Sequence, residues 1–383
     1  MMDFTLSDEQ RLLRDNIVRF AKEELNDDVR QRDRDQRFPQ ELWLKCGEMG
    51  LQGLPVPEAY GGSGLDAVSV AIVLEALGYG CRDGGLVFAV CAHLLACVVP
   101  IWKHGSEEQK RGYLPRLCDG TAIAVNGMTE PGTGSDAFAM STRAVRDGDG
   151  FRLNGTKTFS SNGPVADVAL VYALTDETKA YHGGVTAFLV DTDTPGFSVG
   201  QKFEKLGLRT CPISELVLDE VRVPESAVMG GVGGGGPIFT ESMDWERACL
   251  GASHIGTMQR LLEQVIEYAR KRTQFGQPIG KYQAVSHRIA NMKVNLEASR
   301  MLVYRAASRL GKARDAGLDA SIAKLFVSES LVQCALDAVQ IFGGSGFMVD
   351  SDVERVLRDS VGSTIYSGTS EMQRNIIARW LGV

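Results

Sequence analysis

Glu241, Asp244 and Glu246 crowd the start of a helical pattern in which Ile255, Met258, Leu262, Val265 and Ala269 recur at helical spacing. Acidic side chains in a first turn are what the helix dipole favours, and composition alone leaves all three as structural. Glu246 differs in geometry. At about 100° per residue the stripe of Ile255, Met258, Leu262 and Val265 faces away from it, and it shares a ridge with Cys249, Leu250, Ser253 and Thr257, which are mostly small. A carboxylate above small side chains has room for a ligand and suits a general base. If Met243 and Trp245 keep it dry, its pKa rises toward neutrality. Arg272 and the glycine-rich turn from Gln340 through Gly343 to Gly344 offer the cation and N–H donors that a pyrophosphate takes, although a lone Arg272 is by itself an ordinary solvated charge. Two stretches fit a dinucleotide pattern: Gly62, Gly64, Ala67 and Gly231, Gly233, Gly236. Neither lies in a strand-turn-helix unit, so they read as a turn and a flexible connector. The eight cysteines show no CxxC pair and no nearby histidine spacing, which argues against a zinc site or a disulfide frame and for reduced core residues.

Three regions must position these groups. The first is helical. A capping box from Ser7 to Gln10 opens a helix through Leu13, Ile17, Phe20, Ala21 and Leu25, and helical patterns continue to about residue 120 around the turn-rich PVPEAYGGSG. From about residue 121 short β-branched runs such as VADVALVYAL and ISELVLDEVRVP alternate with Gly, Asn, Asp and Pro turns, marking a β domain. After the glycine run from Gly230 to Pro237 the helical period returns. The expected division is 1–120, 121–232 and 233–383, an α+β chain of order α, β, α. A second capping box, Ser370 to Gln373, starts a last helix through Ile376, Ile377 and Trp380.

The chain has 383 residues, 44% hydrophobic content and a formal charge of −7 without a charged tail, so it reads as globular with more than one core. No basic block suggests nucleic acid. No apolar run is expected to reach the roughly 18 residues of a membrane span, and MMDFTLSDEQ lacks the order of a signal peptide, which together place the chain in the cytoplasm.

Five separated segments ask for a common account: MTEPGTGSD, NGTKTFSSNG, RKRTQFGQPIGKYQ, QIFGGSGF and YSGTSEMQR. In that order and at those distances they resemble the acyl-CoA dehydrogenase family, from about Ser7 to Leu381. Taken alone, MTEPGTGSD is an ordinary Pro-Gly turn. The resemblance implies a helical N-terminal domain, a central β domain, a C-terminal helical bundle, one FAD per subunit and a homotetramer or dimer. It also implies that Met128, Thr129, Gly134 and Ser135 contact the flavin from one loop and Phe159 and Ser161 from the next, that Arg272 and the turn of Gln340, Gly343 and Gly344 hold the FAD pyrophosphate from a neighbouring subunit, and that Gln274, Phe275, Gln283, Thr369 and Glu371 complete the cofactor set. Ser135, Arg247 and Gly368 fall at substrate-binding positions. Phe159 departs from the tryptophan common at its place and Gln274 from a threonine.

Many family members carry the catalytic glutamate where this chain has Ser367, whose hydroxyl is too weakly basic to take an α-proton. One branch, including isovaleryl-CoA dehydrogenase, has a small residue there and its glutamate on the helix after the β domain. Alignment with that branch puts Glu246 in the place of the base and leaves Ser367 its backbone N–H for the enolate oxygen. CAHLLACVVP, TCPISEL and IFTESMDWE resemble the branch that oxidises prolyl groups on peptidyl carrier proteins, with Cys211-Pro212 departing from ordinary acyl-CoA enzymes. The implied activity is α,β-dehydrogenation of an aminoacyl or short acyl thioester on a carrier protein in natural-product biosynthesis, with oxygen or an electron-transfer flavoprotein as acceptor. The alternatives are a short- or branched-chain acyl-CoA dehydrogenase and a catalytically silent flavin-binding scaffold.

Overall fold

The computed structural model describes residues 5–179 and 181–383; the first four residues of the N-terminal stretch read above lie outside it. Helices α1 (Asp8–Glu24), α2 (Val29–Asp35), α3 (Gln40–Glu48), α4 (Ala67–Gly80), α5 (Gly84–His93), α6 (Val99–His104) and α7 (Glu107–Cys118) form the first layer. Ser7 caps α1 in the expected reciprocal box with Gln10. Strands follow: β1 (Ala124–Gly127), β2 (Arg143–Asp147), β3 (Gly150–Ser161), β4 (Val168–Leu174), β5 (Val185–Asp191), β6 (Phe197–Lys202), β7 (Ile213–Pro224) and β8 (Val228–Met229). They run β6-β7-β3-β2-β4-β5-β8 across one sheet, with β1 parallel to β4. The last third holds α8 (Gly235–Lys271), a small hairpin of β9 (Thr273–Gln274) and β10 (Gln277–Pro278), α9 (Gln283–Arg309), α10 (Ala316–Phe342), α11 (Gly344–Phe347), α12 (Asp352–Val361) and α13 (Ser370–Leu381).

Strand period explains how the sheet joins the helices. Along β4, Ala169, Val171 and Ala173 face a core of their own with Phe151, Phe188 and Leu216, whereas Val168, Leu170 and Tyr172 pack into the helical core. His93 pins the junction. Its Nδ1 accepts from the Ala124 N–H and its Nε2 donates to the Leu117 carbonyl, both at 2.9 Å, so α5, α7 and β1 meet on one neutral imidazole whose pKa burial pushes down to about 4.

Helix α8 runs through the centre, and its packing corrects two expectations. The glycines before it are not a loose connector: a Cβ on Gly235 would lie 2.8 Å from the Val185 carbonyl oxygen and one on Gly236 2.6 Å from that of Tyr181, so the run lets the helix begin against β5 and its preceding loop. The small residues beside Glu246 serve contact as well. A Cβ on Gly78 would come within 2.0 Å of the Ser253 carbonyl oxygen and one on Gly256 within 2.0 Å of that of Glu75, so α4 and α8 cross with their backbones touching. Ser253 therefore packs its backbone against α4 while also lining a cavity with Thr257, Phe88 and Tyr366.

The expectation that no apolar segment reaches spanning length is also corrected. A π-helical turn, Leu94–Val98, fuses α5 and α6 into one apolar stretch of 21 residues, Gly84–His104, and α10, with 27, is also long and apolar enough. The first is core: 89% of its most apolar window is buried. Its loosened carbonyls are met from outside, Ala96 by Asn126 Nδ2 at 3.0 Å and Leu95 by Ser242 Oγ at 3.4 Å.

Candidate active site

The three carboxylates at the start of α8 separate by partner. Glu241 Oε2 lies 2.9 Å from His104 Nε2, and Asp244 lies 3.9 Å from Arg247. Glu246 has no cation within ion-pair distance among the described residues; its Oε1 accepts a very short hydrogen bond from Ser367 Oγ. It is 8% exposed, and that residue lines a cavity with Arg247, Leu250, His254, Lys324 and Tyr366. Burial raises its pKa above the usual carboxylate range, against the opposing pull of the Ser367 hydroxyl and the charges of Arg247 and Lys324. That cavity lies on the Leu250–His254 side of the helix, and a second one, lined by Ser253 and Thr257 of the ridge together with Phe88, His254 and Tyr366, adjoins it.

Ser367 is held in place by its carbonyl, which accepts from Arg247 Nε at 3.0 Å and from Gln373 Nε2 at 3.1 Å. Gln373 Nε2 also donates to the Gly368 carbonyl at 3.0 Å. Gln373 is thus not the closing member of a box on Ser370. The chain turns through φ +58° at Ser367 and +86° at Gly368, which brings Thr369 into the cap position, where its Oγ1 accepts from the Met372 N–H. That frees the glutamine to clamp the turn. The Ser367 N–H itself makes no hydrogen bond among the described residues. Next to it, Tyr366 Oη lies 2.9 Å from His254 Nε2, and the Phe88 ring packs at 4.6 Å on Tyr366, closing the cavity at one end.

The two loops expected to hold a flavin meet through backbone: the Thr158 N–H donates to the Thr129 carbonyl at 2.8 Å. Met128 is buried and offers only its carbonyl, which takes a 3.3 Å contact from Lys157 Nζ, while Thr129 is half-buried and Gly134 and Ser135 are exposed. Beneath them Lys157 and Glu130, both buried, pair at 2.8 Å, and Glu130 also accepts from Ser141 and Thr142. Phe159 stands 61% exposed at φ +52°, tilted against Phe203, with Ser161 half-buried beyond it. Asn162, next in line, is tied to the TCP run: its N–H donates to the Pro212 carbonyl and its Oδ1 accepts from Cys211 Sγ. These residues fit a flat cofactor with polar edges. Thr133 Oγ1 is buried without a partner, and a Cβ on Gly132 or Gly134 would meet nothing within 4 Å.

The remaining expected cofactor residues gather elsewhere. Arg272, Gln274, Phe275, Gln283, Gln340, Gly343 and Gly344 are all exposed, and the Tyr268 and Phe342 rings, stacked at 4.2 Å, join the end of α8 to the end of α10 beneath them. Thr369 caps α13 and Glu371 is exposed in its first turn. Among the described residues no group of three or more His, Cys, Asp or Glu side chains could hold a metal, and all eight cysteines are buried and free. Four residues of the site were not singled out by sequence: Lys324, His254 and the paired Glu130 and Lys157. Lys324 carried a signal, since it sits on the apolar stripe of Ala320, Ala323, Val327 and Leu331.

Family models for the N-terminal, middle and C-terminal domains of acyl-CoA dehydrogenase match residues 7–121, 126–221 and 233–382. A protein of Pseudomonas fluorescens described as an L-prolyl-[peptidyl-carrier protein] dehydrogenase is 45% identical over 99% of this chain and all of its own. A mitochondrial isovaleryl-CoA dehydrogenase of Solanum tuberosum is 37% identical over 98% of this chain and 90% of its own. Among solved structures, the prolyl acyl carrier protein oxidase AnaB superposes with TM-score 0.97 at 42% identity, covering 99% of this chain and 100% of that one. PigA with FAD and proline gives TM-score 0.97 at 43% identity, over 100% and 99%.

Proposed function

The chain belongs to the acyl-CoA dehydrogenase family, and from that premise we propose that it is an FAD-dependent oxidoreductase that desaturates the Cα–Cβ bond of a prolyl thioester carried on a peptidyl carrier protein. The relatives named above support the carrier-bound prolyl group. The observation that carries the chemistry is the buried Glu246 carboxylate, in no ion pair among the described residues and facing a cavity, with Ser367 beside it.

FAD, when bound, supplies the acceptor for the hydride that leaves Cβ. Met128, Thr129, Gly134, Ser135, Phe159, Ser161 and Thr369 would hold its flavin half. The chain's own part is the proton. Glu246, already ionised, takes the α-proton and becomes the neutral acid, and burial means that its ionisation needs a higher pH than that of an exposed glutamate. Negative charge then grows on the thioester oxygen, toward which the unpaired Ser367 N–H is offered. Arg247 and Gln373 fix that N–H by holding the carbonyl of the same residue. His254 and Tyr366, in hydrogen-bond contact, wall the Glu246 cavity off from a second one that Phe88 helps to line. An electron-transfer flavoprotein or oxygen reoxidises the cofactor, the working form is a homo-oligomer, and the carrier-bound substrate places the reaction in the cytoplasm.

Anaerobic mixing of the FAD-loaded protein with prolyl, other aminoacyl and short acyl thioesters, each on carrier and on CoA, tests this through the visible flavin band. Prolyl-carrier thioester should bleach it and the CoA ester should not. Glu246→Gln should stay yellow and lose the bleaching by at least about a thousandfold, in line with removal of a general base. Undiminished bleaching by that variant would move the base elsewhere.

A further inference from the structure

A lysine is the costliest residue to bury without a partner. Lys324 is 7% exposed, lines the cavity that holds Glu246, and its Nζ makes no hydrogen bond among the described residues. It forms no ion pair either. The chain keeps this ammonium on a buried face of α10 that it shares with Ala320, Ala323, Val327 and Leu331 and with the uncharged Ser321 and Ser328.

The groups around it define what it can act on. From α8 come Glu246 and Arg247, from α13 Glu371, and Glu329 is on its own helix; burial and Arg247 draw its pKa down to about 8. Glu246 in turn faces Arg247 and His254 on α8, Lys324 on α10, Tyr366 and Ser367 before α13, Cys91 on α5 and Cys97 in the π-turn. Burial keeps His254 neutral, with a pKa near 4, and keeps both thiols and the phenol protonated. Arg247 is committed to the Ser367 carbonyl. Lys324 is the cation of the cavity with nothing else bound to it.

We propose that Lys324 is a positioning residue for the proton transfer: its ammonium faces Glu246 across the cavity and holds that side chain in the carboxylate form a base requires. The inference rests on the function proposed above for its meaning, but not for its measurement. The carboxyl infrared band that disappears in Glu246→Gln reports the ionisation of Glu246 whether or not any thioester reacts.

In Lys324→Met the midpoint of that band should move up by about one pH unit, and flavin reduction by the prolyl thioester, measured below the midpoint, should slow about tenfold and recover at higher pH. Lys324→Arg should keep the original midpoint. Thermal melting and FAD absorbance establish that each variant is folded, and Lys324→Gln gives a second neutral side chain if the methionine variant is not. An unchanged or lowered midpoint in the neutral variants overturns the proposal. A moved midpoint in a protein that no thioester reduces keeps the Lys324 assignment and discards the thioester reaction.

Discussion

Ser367 occupies the place where many members of the family carry the catalytic glutamate, and its side chain touches Glu246, the base proposed above. The hydroxyl stabilises the ionised form, opposing the burial that raises the Glu246 pKa. Ser367→Ala should therefore raise that pKa further, by about one unit given the usual strength of a hydrogen bond to a charged group. Activity should fall on the acid side of the pH profile and return at high pH, because the backbone N–H toward the substrate is retained. A uniform loss at every pH would mean that the serine acts on the substrate and not on the base. The choice of Glu246 over Glu241 and Asp244 was reachable from sequence by alignment with a branch that displaces its base. The small residues on the Glu246 ridge have two uses, since Ser253 touches α4 through its backbone and, with Thr257, lines a cavity: small side chains serve helix crossing and ligand space alike. Lys324 escaped because a lysine in a long helix is ordinarily solvated, and only the coordinates show the ammonium without a partner.

At the scale of elements, the loop after β1 depends on one buried pair. Burial alone would push the Glu130 carboxyl up, but the Lys157 ammonium and hydrogen bonds from Ser141 and Thr142 hold it down at about 2. A carboxylate with a depressed folded-state pKa adds stability above its unfolded value, near 4.3, and that stability is lost as pH falls from there toward about 2. Glu130→Gln should flatten this acid limb in denaturation experiments. Lys157→Met strands the carboxylate and should cost roughly 3–5 kcal/mol with loss of FAD, since the same pair supports Met128 and Thr129. A Lys157→Met protein of unchanged stability would show that the pair contributes nothing there. Both residues lie inside motifs legible in sequence, MTEPGTGSD and NGTKTFSSNG, but their meeting depends on the register of β3 against the sheet, which no local pattern encodes. The order of helices, strands and helices was legible from the change of period near residue 121 and its return after the glycines. The π-turn and the one-residue shift of the last cap were not, because both are settled by tertiary partners, Asn126 and Ser242 in one case and the Ser367–Gly368 turn in the other.

The whole chain leaves one face unfinished. Phe275 is 95% exposed at φ +51°, on the hairpin after α8, and Phe347, Met348 and Val349 stand exposed after α10, whose end the Tyr268–Phe342 stack ties to α8. Large exposed apolar side chains beside Arg272 and Gly343–Gly344 are what an association surface offers. The resemblance to the family implies that Arg272 and the Gln340–Gly344 turn serve a cofactor bound to a neighbouring subunit, and an association surface here would bring them to it. Phe275→Glu should consequently lower FAD occupancy and shift sedimentation toward the single chain together, each buried phenyl being worth about 1.5–3 kcal/mol. The Glu246 infrared midpoint should stay where it is, since its cavity is lined from α8, α10 and the turn before α13. Loss of FAD without any change in sedimentation would put both halves of the cofactor on one chain. If neither quantity moves, the hairpin is free surface and subunits meet elsewhere.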